Sequence, residues 1–409
     1  MSNSLVVQVC VMGAGPVGGT LACRLAKAGV SVALIDQAAL PSMATPAFDG
    51  RAYAIAAGSR KLLEEAGLWD VLGVPPHPIR GIRVSDGRIG RPASRLHLHF
   101  DHREVADNPT PFGWMLEARS LRKALNARFP VQERLHLFAP ARANVARTNE
   151  GCVVRLGDGT AIYCRLVIAA EGRNSALRDQ AGIEVTRIPY NQTAIVCAVA
   201  HERPHNDIAL EHFLPGGPFA VLPMGESEDA LPGGAPHVSA IVWTERTKDA
   251  EAYLALDDER FAREASRRLG PQLGAIRAVG RRWNYPLSAM IAHRYVAIRL
   301  ALVGDAAHGI HPIAGQGLNL GFRDGIALAT LIDRAVQTGE DVGSESLLMR
   351  YQRLRRLDNL LMFAITDGID RLFSTDHRAM RIARDLGING VDRLRPVKRL
   401  FMLQAMGNA

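Results

Sequence analysis

The chain has five cysteines in 409 residues (Cys10, Cys23, Cys152, Cys164, Cys197), an odd and scattered set without a C-x-x-C pair. This spacing argues against a disulfide framework and a thiolate zinc site, and it fits a reducing compartment, the cytoplasm. The five read instead as small buried hydrophobes. No apolar run approaches the roughly 20 residues that span a bilayer. The start, Met1-Ser2-Asn3-Ser4, carries no basic segment ahead of its apolar strand, so a cleaved export signal is not expected. Aromatic residues make up only 6% of the chain. None interleave with basic residues into a stacking platform, so nucleic acid is not an expected partner.

What is present suffices for a large core. Hydrophobic residues are 47% and charged residues 22%, near the globular average, and the length exceeds one average domain. Net charge is +8, and from Arg350 onward twelve Lys/Arg against six Asp supply +6 of it. Such a basic tail is either a solvated helix face or a surface for acidic lipid or a partner protein.

The first forty residues describe a nucleotide site. Leu5 to Met12 is a near-continuous apolar run that ends in Gly13-Ala14-Gly15-Pro16-Val17-Gly18. Leu21, Ala22, Leu25 and Ala26 follow at helical spacing, Gly29 sits at the helix-stop position, and a second strand, Val30 to Ile35, ends in Asp36. In this order Gly13 permits the tight turn, Gly15 lets the backbone approach a pyrophosphate, and Gly18 lets helix and strand pack closely. The helix start, with Pro16 and Val17 in its first turn, offers N–H donors and a positive dipole end to phosphates, and Asp36 can accept from a ribose diol. FAD and NAD share this motif, so it does not choose between them.

A second run has the same logic. Leu302-Val303-Gly304-Asp305 is the end of a buried strand, followed by a polar loop through His308, His311 and Pro312. A helix opens near Leu318 in Gly315-Gln316-Gly317-Leu318-Asn319-Leu320-Gly321. Leu166 to Ala170 is a third buried strand, ending in Glu171-Gly172-Arg173-Asn174-Ser175. Read alone it is an ordinary strand exit, with Arg173 and Arg178 as surface charges. His308 and His311 stand i, i+3, but no third ligand has suggestive spacing, so no metal is expected. Asp324, inside the helix, reads as a structural hydrogen-bonding residue.

Taken in order, these segments resemble the flavoprotein aromatic hydroxylases, the class A monooxygenases, and more narrowly their ubiquinone-biosynthesis branch. The family's fingerprint matches Gly13 to Asp36. Its arginine segment matches Arg51-Ala52-Tyr53-Ala54-Ile55 with Ser59, Leu62, Leu63, Gly67 and Trp69-Asp70, and a second family arginine matches Arg119. Its Asp-Gly motif matches Glu171-Gly172, where glutamate replaces the usual aspartate and puts the affinity for the electron donor in question. Its third motif matches Gly304-Asp305 through Pro312 and then Gly315 to Gly321, the signature of the ubiquinone branch. Gly217 to Met224 and Ile241-Val242-Trp243 look like the branch's substrate sheet.

The resemblance implies an α/β chain: a Rossmann-type FAD-binding domain, an inserted antiparallel-sheet substrate domain and a helical C-terminal region. Residues 2–74, 114–182 and 283–340 would form the first, 75–113 and 183–282 the second, and 341–409 the third. Asp36 would hold the adenosine ribose, and Arg51 and Arg119 would lie near the flavin and pyrophosphate. Asp305, with Gly304, would accept from the ribityl chain. The backbone from Gly315 to Asn319 would face the pyrimidine edge of the flavin ring. NAD(P)H or another external reductant, bound transiently on a groove, would reduce FAD. O₂ would then give a flavin hydroperoxide that hydroxylates the ring of a polyprenylated phenol. The resemblance names no residue for activating that phenol. The alternatives are a flavin-dependent prenyl reductase, a halogenase-like relative, or a non-catalytic flavin-binding subunit of a biosynthetic complex. The halogenase pattern Trp-x-Trp-x-Ile-Pro is missing, because Trp69, Trp114, Trp243 and Trp283 are isolated. The basic C-terminal region, with its apolar stripe Leu357, Leu360, Leu361, Ala364 and Ile365 and the later Leu394, Leu400, Phe401 and Leu403, would meet a membrane or a biosynthetic complex peripherally.

Overall fold

Strands that read as continuous apolar runs belong in a parallel sheet covered on both faces, and Val9–Met12 is fully buried within one. A computed structural model describes residues 4–40, 48–90, 97–105, 109–225, 237–373 and 394–407. Its central sheet has six strands in the order Val296–Ala297, Leu300–Leu302, Leu166–Ala169, Val9–Met12, Val32–Ile35 and Leu135–Phe138. All neighbours are parallel except the first pair. The register sets Met12 beside Ile35 on one side and Ala169 on the other, with Leu302 beside Ala169. The three motif loops and Asp36 therefore leave the sheet at one carboxyl edge, where ligands of open α/β sheets bind.

The helices Pro16–Lys27 and Gln316–Thr338 pack on this sheet, and a four-stranded sheet (Ser4–Val6, Ala161–Cys164, Cys152–Leu156, Ala143–Arg147) shares the same core. All five cysteines are buried and free.

The second large element is an eight-stranded sheet: His308–Gly309, Ile276–Ala292, Val185–His201, His237–Arg246, Gly217–Met224, Ile208–Leu214, Gly81–Asp86, His97–Asp101. It departs from the expected purely antiparallel arrangement at one place, since Ile208–Leu214 and Gly81–Asp86 run parallel. One face packs against the helices Thr247–Leu254 and Asp258–Leu269 around Trp243 and Phe261. The other face meets Met115 of a three-stranded sheet (Ala52–Ala56, Gly113–Glu117, His77–Ile79) and Met402 and Met406 of the final helix, Arg395–Met406. A long helix, Glu345–Phe373, precedes that one. The part of the expected C-terminal region from 374 to 393 lies outside the described residues, as do 41–47 of the N-terminal segment. No described helix is long and apolar enough to cross a membrane.

Candidate active site

The two glycine motifs meet across Val17. A Cβ on Gly304 would lie 3.3 Å from Val17 Cγ2, and one on Gly321 only 2.6 Å from it. Two glycines thus let the helix Gln316–Thr338 and the Gly304-Asp305 turn close onto the start of the helix Pro16–Lys27. Gly18 is constrained more tightly still: its Cβ would fall 2.0 Å from the Gly13 carbonyl oxygen. By contrast, nothing lies within 4 Å of the Cβ positions of Gly15 and Gly317, so the backbone there is open to a ligand. Neither helix start has a side-chain cap or an acidic residue in its first turn, which leaves amide donors and the positive dipole end for an anionic group.

Three carboxylates surround these starts. Asp36 accepts from the Ala14 amide at 2.7 Å and the Ala38 amide at 2.8 Å, which fixes it over the glycine turn with lone pairs remaining. It lines a cavity of about 430 Å³ with Glu171, Asn144 and Gln180. Glu171 caps the short helix Ala176–Gln180, accepting from Ser175 Oγ at 2.6 Å and the Leu177 amide at 3.2 Å. The turn therefore keeps its form despite the extra methylene. Asp305 is half-exposed, its Oδ2 3.1 Å from Arg173 Nε. Beneath it Asp324 is fully buried and accepts from the Gly304 amide at 3.0 Å, His308 Nε2 at 2.5 Å, Arg355 Nε at 2.8 Å and Asn359 Nδ2 at 3.2 Å. Burial pushes this carboxyl up, but the charges and hydrogen bonds of His308 and Arg355 outweigh it and hold it at about 2.

At the other end of the site, Gly315 has φ of +63° and caps the long helix, which begins at Gln316, two residues before the expected start. Pro312 precedes it, capping the turn Ile313–Gly315. Asn319 is buried and spans the strand Ala52–Ala56, accepting from the Ala56 amide at 2.8 Å and donating to the Ala54 carbonyl at 2.9 Å. Gln316 Nε2 reaches the Ala405 carbonyl at 3.4 Å, and Leu318 packs on the core. The side chains of this segment thus fasten it, the Gly315 amide donates to the Pro312 carbonyl at 2.9 Å, and the amides of Gln316, Gly317 and Leu318 open the helix without an intrahelical acceptor. His308 and His311 turn to different partners, the second lying 3.1 Å from Gln192 Oε1 with its ring pushed down to about 4 by burial.

Two arginines do not join the glycine turns. Arg51 pairs with Asp49 and lies 4.2 Å over the Trp283 ring, between the strand Ala52–Ala56 and the large sheet. Arg119 is buried beside Glu117, its Nε 2.5 Å from the carboxylate, so it is no surface charge. The residue that reaches the glycine turn is Arg122, one helical turn on, donating to the Ala14 carbonyl at 2.9 Å. Burial lowers its pKa, opposed by Tyr53 and Asp36. Its i, i+3 spacing from Arg119 was the available signal. Arg173 and Arg178 also correct the reading as surface charges. Arg173 bridges Asp305 and Ser288. Arg178 is buried and donates to the carbonyls of Arg173 and Ala306. Both tie the Asp305 turn to the Glu171 turn.

Glycine turns and uncapped helix starts at the carboxyl edge of a parallel sheet define a dinucleotide-binding protein. The family model described as FAD binding domain matches residues 6–360. Ubiquinone hydroxylase UbiL of Rhodospirillum rubrum is 47% identical over 407 residues, 99% of this chain and 91% of the relative. The 3-demethoxyubiquinol 3-hydroxylase of Escherichia coli is 32% identical over 404 residues, 98% of each. In fold, the p-nitrophenol 4-monooxygenase PnpA from Pseudomonas putida superposes with a TM-score of 0.78 at 18% identity, covering 100% of this chain and 99% of that one. The chain belongs to the FAD-dependent monooxygenases, in the family of the ubiquinone hydroxylases, and FAD is its cofactor.

Proposed function

We propose that this chain hydroxylates the aromatic ring of a polyprenylated phenol on the way to ubiquinone. The observation that carries the reading is the convergence of the Gly13–Gly18 and Gly304–Gly321 motifs on Val17, together with extended likeness to two ubiquinone-pathway hydroxylases. Reductive activation of O₂, with electrons from NAD(P)H or a similar donor, is the chemistry that bound FAD supplies.

The residues divide the remaining work. The amides opening the helix Pro16–Lys27 and the approach over Gly15 hold the pyrophosphate, with Arg122 steadying the turn. Asp36 holds the adenosine ribose beside its cavity. Asp305 accepts from the ribityl hydroxyls. The backbone of Gly315 to Asn319 faces the pyrimidine edge, where a helix start stabilises the negative charge of the reduced ring. Arg51, stacked on Trp283, sits between the strand Ala52–Ala56 and the substrate sheet. Residues 2–74, 114–182 and 283–340 act as the cofactor unit and 75–113 with 183–282 as the substrate unit, sharing the strand Ile276–Ala292.

Leu354, Leu357 and Leu361 on the helix Glu345–Phe373, and Leu394 and Leu400 near the final helix, are exposed. With the basic excess they support peripheral docking on a membrane or on a biosynthetic assembly. The test of function is purified holoprotein with a prenylated phenol, NAD(P)H and O₂. A product one oxygen heavier supports the hydroxylase, and a reduced prenyl chain without added oxygen overturns it.

A further inference from the structure

Glu211 lies in the strand Ile208–Leu214, where side chains alternate between the sheet's two faces. Leu210 and Leu214 pack under the helices Thr247–Leu254 and Asp258–Leu269, whereas Ala209 joins the cluster with Met115, Met402 and Met406. Glu211 therefore stands on Ala209's face, the one turned to the strand Ala52–Ala56. Asn319 fastens that strand to the start of the helix Gln316–Thr338. Its neighbours across the sheet are Val84 and Ala220, and beyond Ala220 come Val242 and Val196. These are small apolar side chains, and none can hydrogen-bond to a carboxyl.

Among the described residues, the other buried carboxyls are all engaged. Asp324 meets His308 and Arg355, Glu117 meets Arg119, Glu245 meets Arg268, Asp370 faces His311, and Asp86 accepts from the Gly87 amide. Glu211, only 8% exposed, has no hydrogen bond or ion pair among the described residues. Burial alone pushes its carboxyl up to about 8. An unpaired buried carboxyl is a cost to the fold, and one on the sheet face that packs toward the strand held by Asn319 is a functional candidate.

We propose that Glu211 is the catalytic base of this enzyme, accepting the proton of the substrate's phenol hydroxyl while the ring lies between this sheet face and the start of the helix Gln316–Thr338. The assignment rests on the hydroxylase reading above. The phenol O–H bond breaks and an O–H bond forms on the Glu211 carboxylate. The electron pair stays on the phenol oxygen and enriches the ring carbon that takes oxygen from O₂. The charged groups around this face are engaged elsewhere. Asp86 is held by the Gly87 amide, Lys398 of the final helix pairs with Glu104, and Arg51 pairs with Asp49. His212, next in the strand, points to the opposite face and bonds Ser85. The free enzyme's kcat/KM should therefore rise with pH through about 8, as the carboxyl ionises.

The experiment compares wild type with Glu211→Gln, which keeps the shape and removes the proton acceptor, and with Glu211→Asp, which keeps the carboxyl. A short-chain prenylphenol is the probe. Two readouts are taken: hydroxylated product per donor oxidised, and the ultraviolet difference spectrum of the bound phenol against pH in the oxidised holoenzyme. Glu211→Gln is expected to bind the probe but to lose roughly 10²-fold in hydroxylation, the lower range for positioned proton transfer. Donor oxidation should become uncoupled, and the phenolate signal that wild type gains as pH rises through about 8 should be absent. Glu211→Asp should recover part of both. A Glu211→Gln enzyme with the wild-type coupling, phenolate signal and pH profile overturns the assignment while leaving the hydroxylase intact. A wild-type enzyme that neither binds nor hydroxylates the probe overturns the proposed function and this assignment with it.

Discussion

Replacing Asp324 by asparagine should damage the fold and the cofactor site together. Four donors converge on its carboxylate, two on each oxygen: Gly304 N and His308 on one, Arg355 and Asn359 on the other. Asparagine keeps one acceptor and turns an NH₂ group toward two donors, whichever way the amide lies. Arg355, itself buried, loses a counter-charge, although Asp358 stays at 2.6 Å from its guanidinium. Removing one partner of a buried pair costs about 3–5 kcal/mol. The contact with Asp358 places this case near the lower end, about 3 kcal/mol or roughly 10²-fold in the folding constant. Urea unfolding of the two FAD-free proteins measures it, because bound FAD would add a different stabilisation to each once their affinities differ. FAD affinity should fall as well, because the Gly304 amide loses its anchor. The same carboxyl makes an acid-side prediction. Its folded pKa is depressed from 3.8 to about 2, so its contribution is complete above the unfolded value and is lost as pH falls through the folded one. Wild type should therefore lose stability between about pH 4 and pH 2 more steeply than the variant. A loss below about 1 kcal/mol with unchanged FAD affinity would refute this reasoning.

Three further substitutions probe the cradle. Gly18→Ala sets a Cβ 2.0 Å from the Gly13 carbonyl, a clash with backbone that must displace the helix start; the purified protein should lack visible flavin absorbance. Asp305→Ala should lose most of its bound FAD with little change in fold, since the side chain is half-exposed; full flavin occupancy would contradict its ribityl role. Asn319→Ala leaves the Ala56 amide and Ala54 carbonyl without their side-chain partner, and thermal unfolding should register about 1–3 kcal/mol of destabilisation.

The parallel core was legible because burial on both faces removes alternation: Val9–Met12, Val32–Ile35 and Leu166–Ala169 can be read as strands from composition alone. The glycine turns were legible because their constraint is local. What the sequence concealed depends on partners far along the chain. Arg178 looks like any surface charge until the Ala306 carbonyl, 128 residues away, is brought to it. Arg122 is marked only by its i, i+3 spacing from Arg119. The parallel pairing of Ile208–Leu214 with Gly81–Asp86 leaves no local signature. Glu211 carries no motif of its own, and only the packing of Ala209 with Met115 and Met402 shows that its face of the strand is covered.

The central claim is that this fold places one atom of O₂ on a prenylated phenol. The most direct measurement is turnover of purified holoenzyme under isotopically labelled O₂, with the product's mass read by spectrometry. The account predicts one labelled oxygen atom in each hydroxylated product. Donor oxidation that yields only hydrogen peroxide, or a product whose new oxygen comes from water, would contradict it.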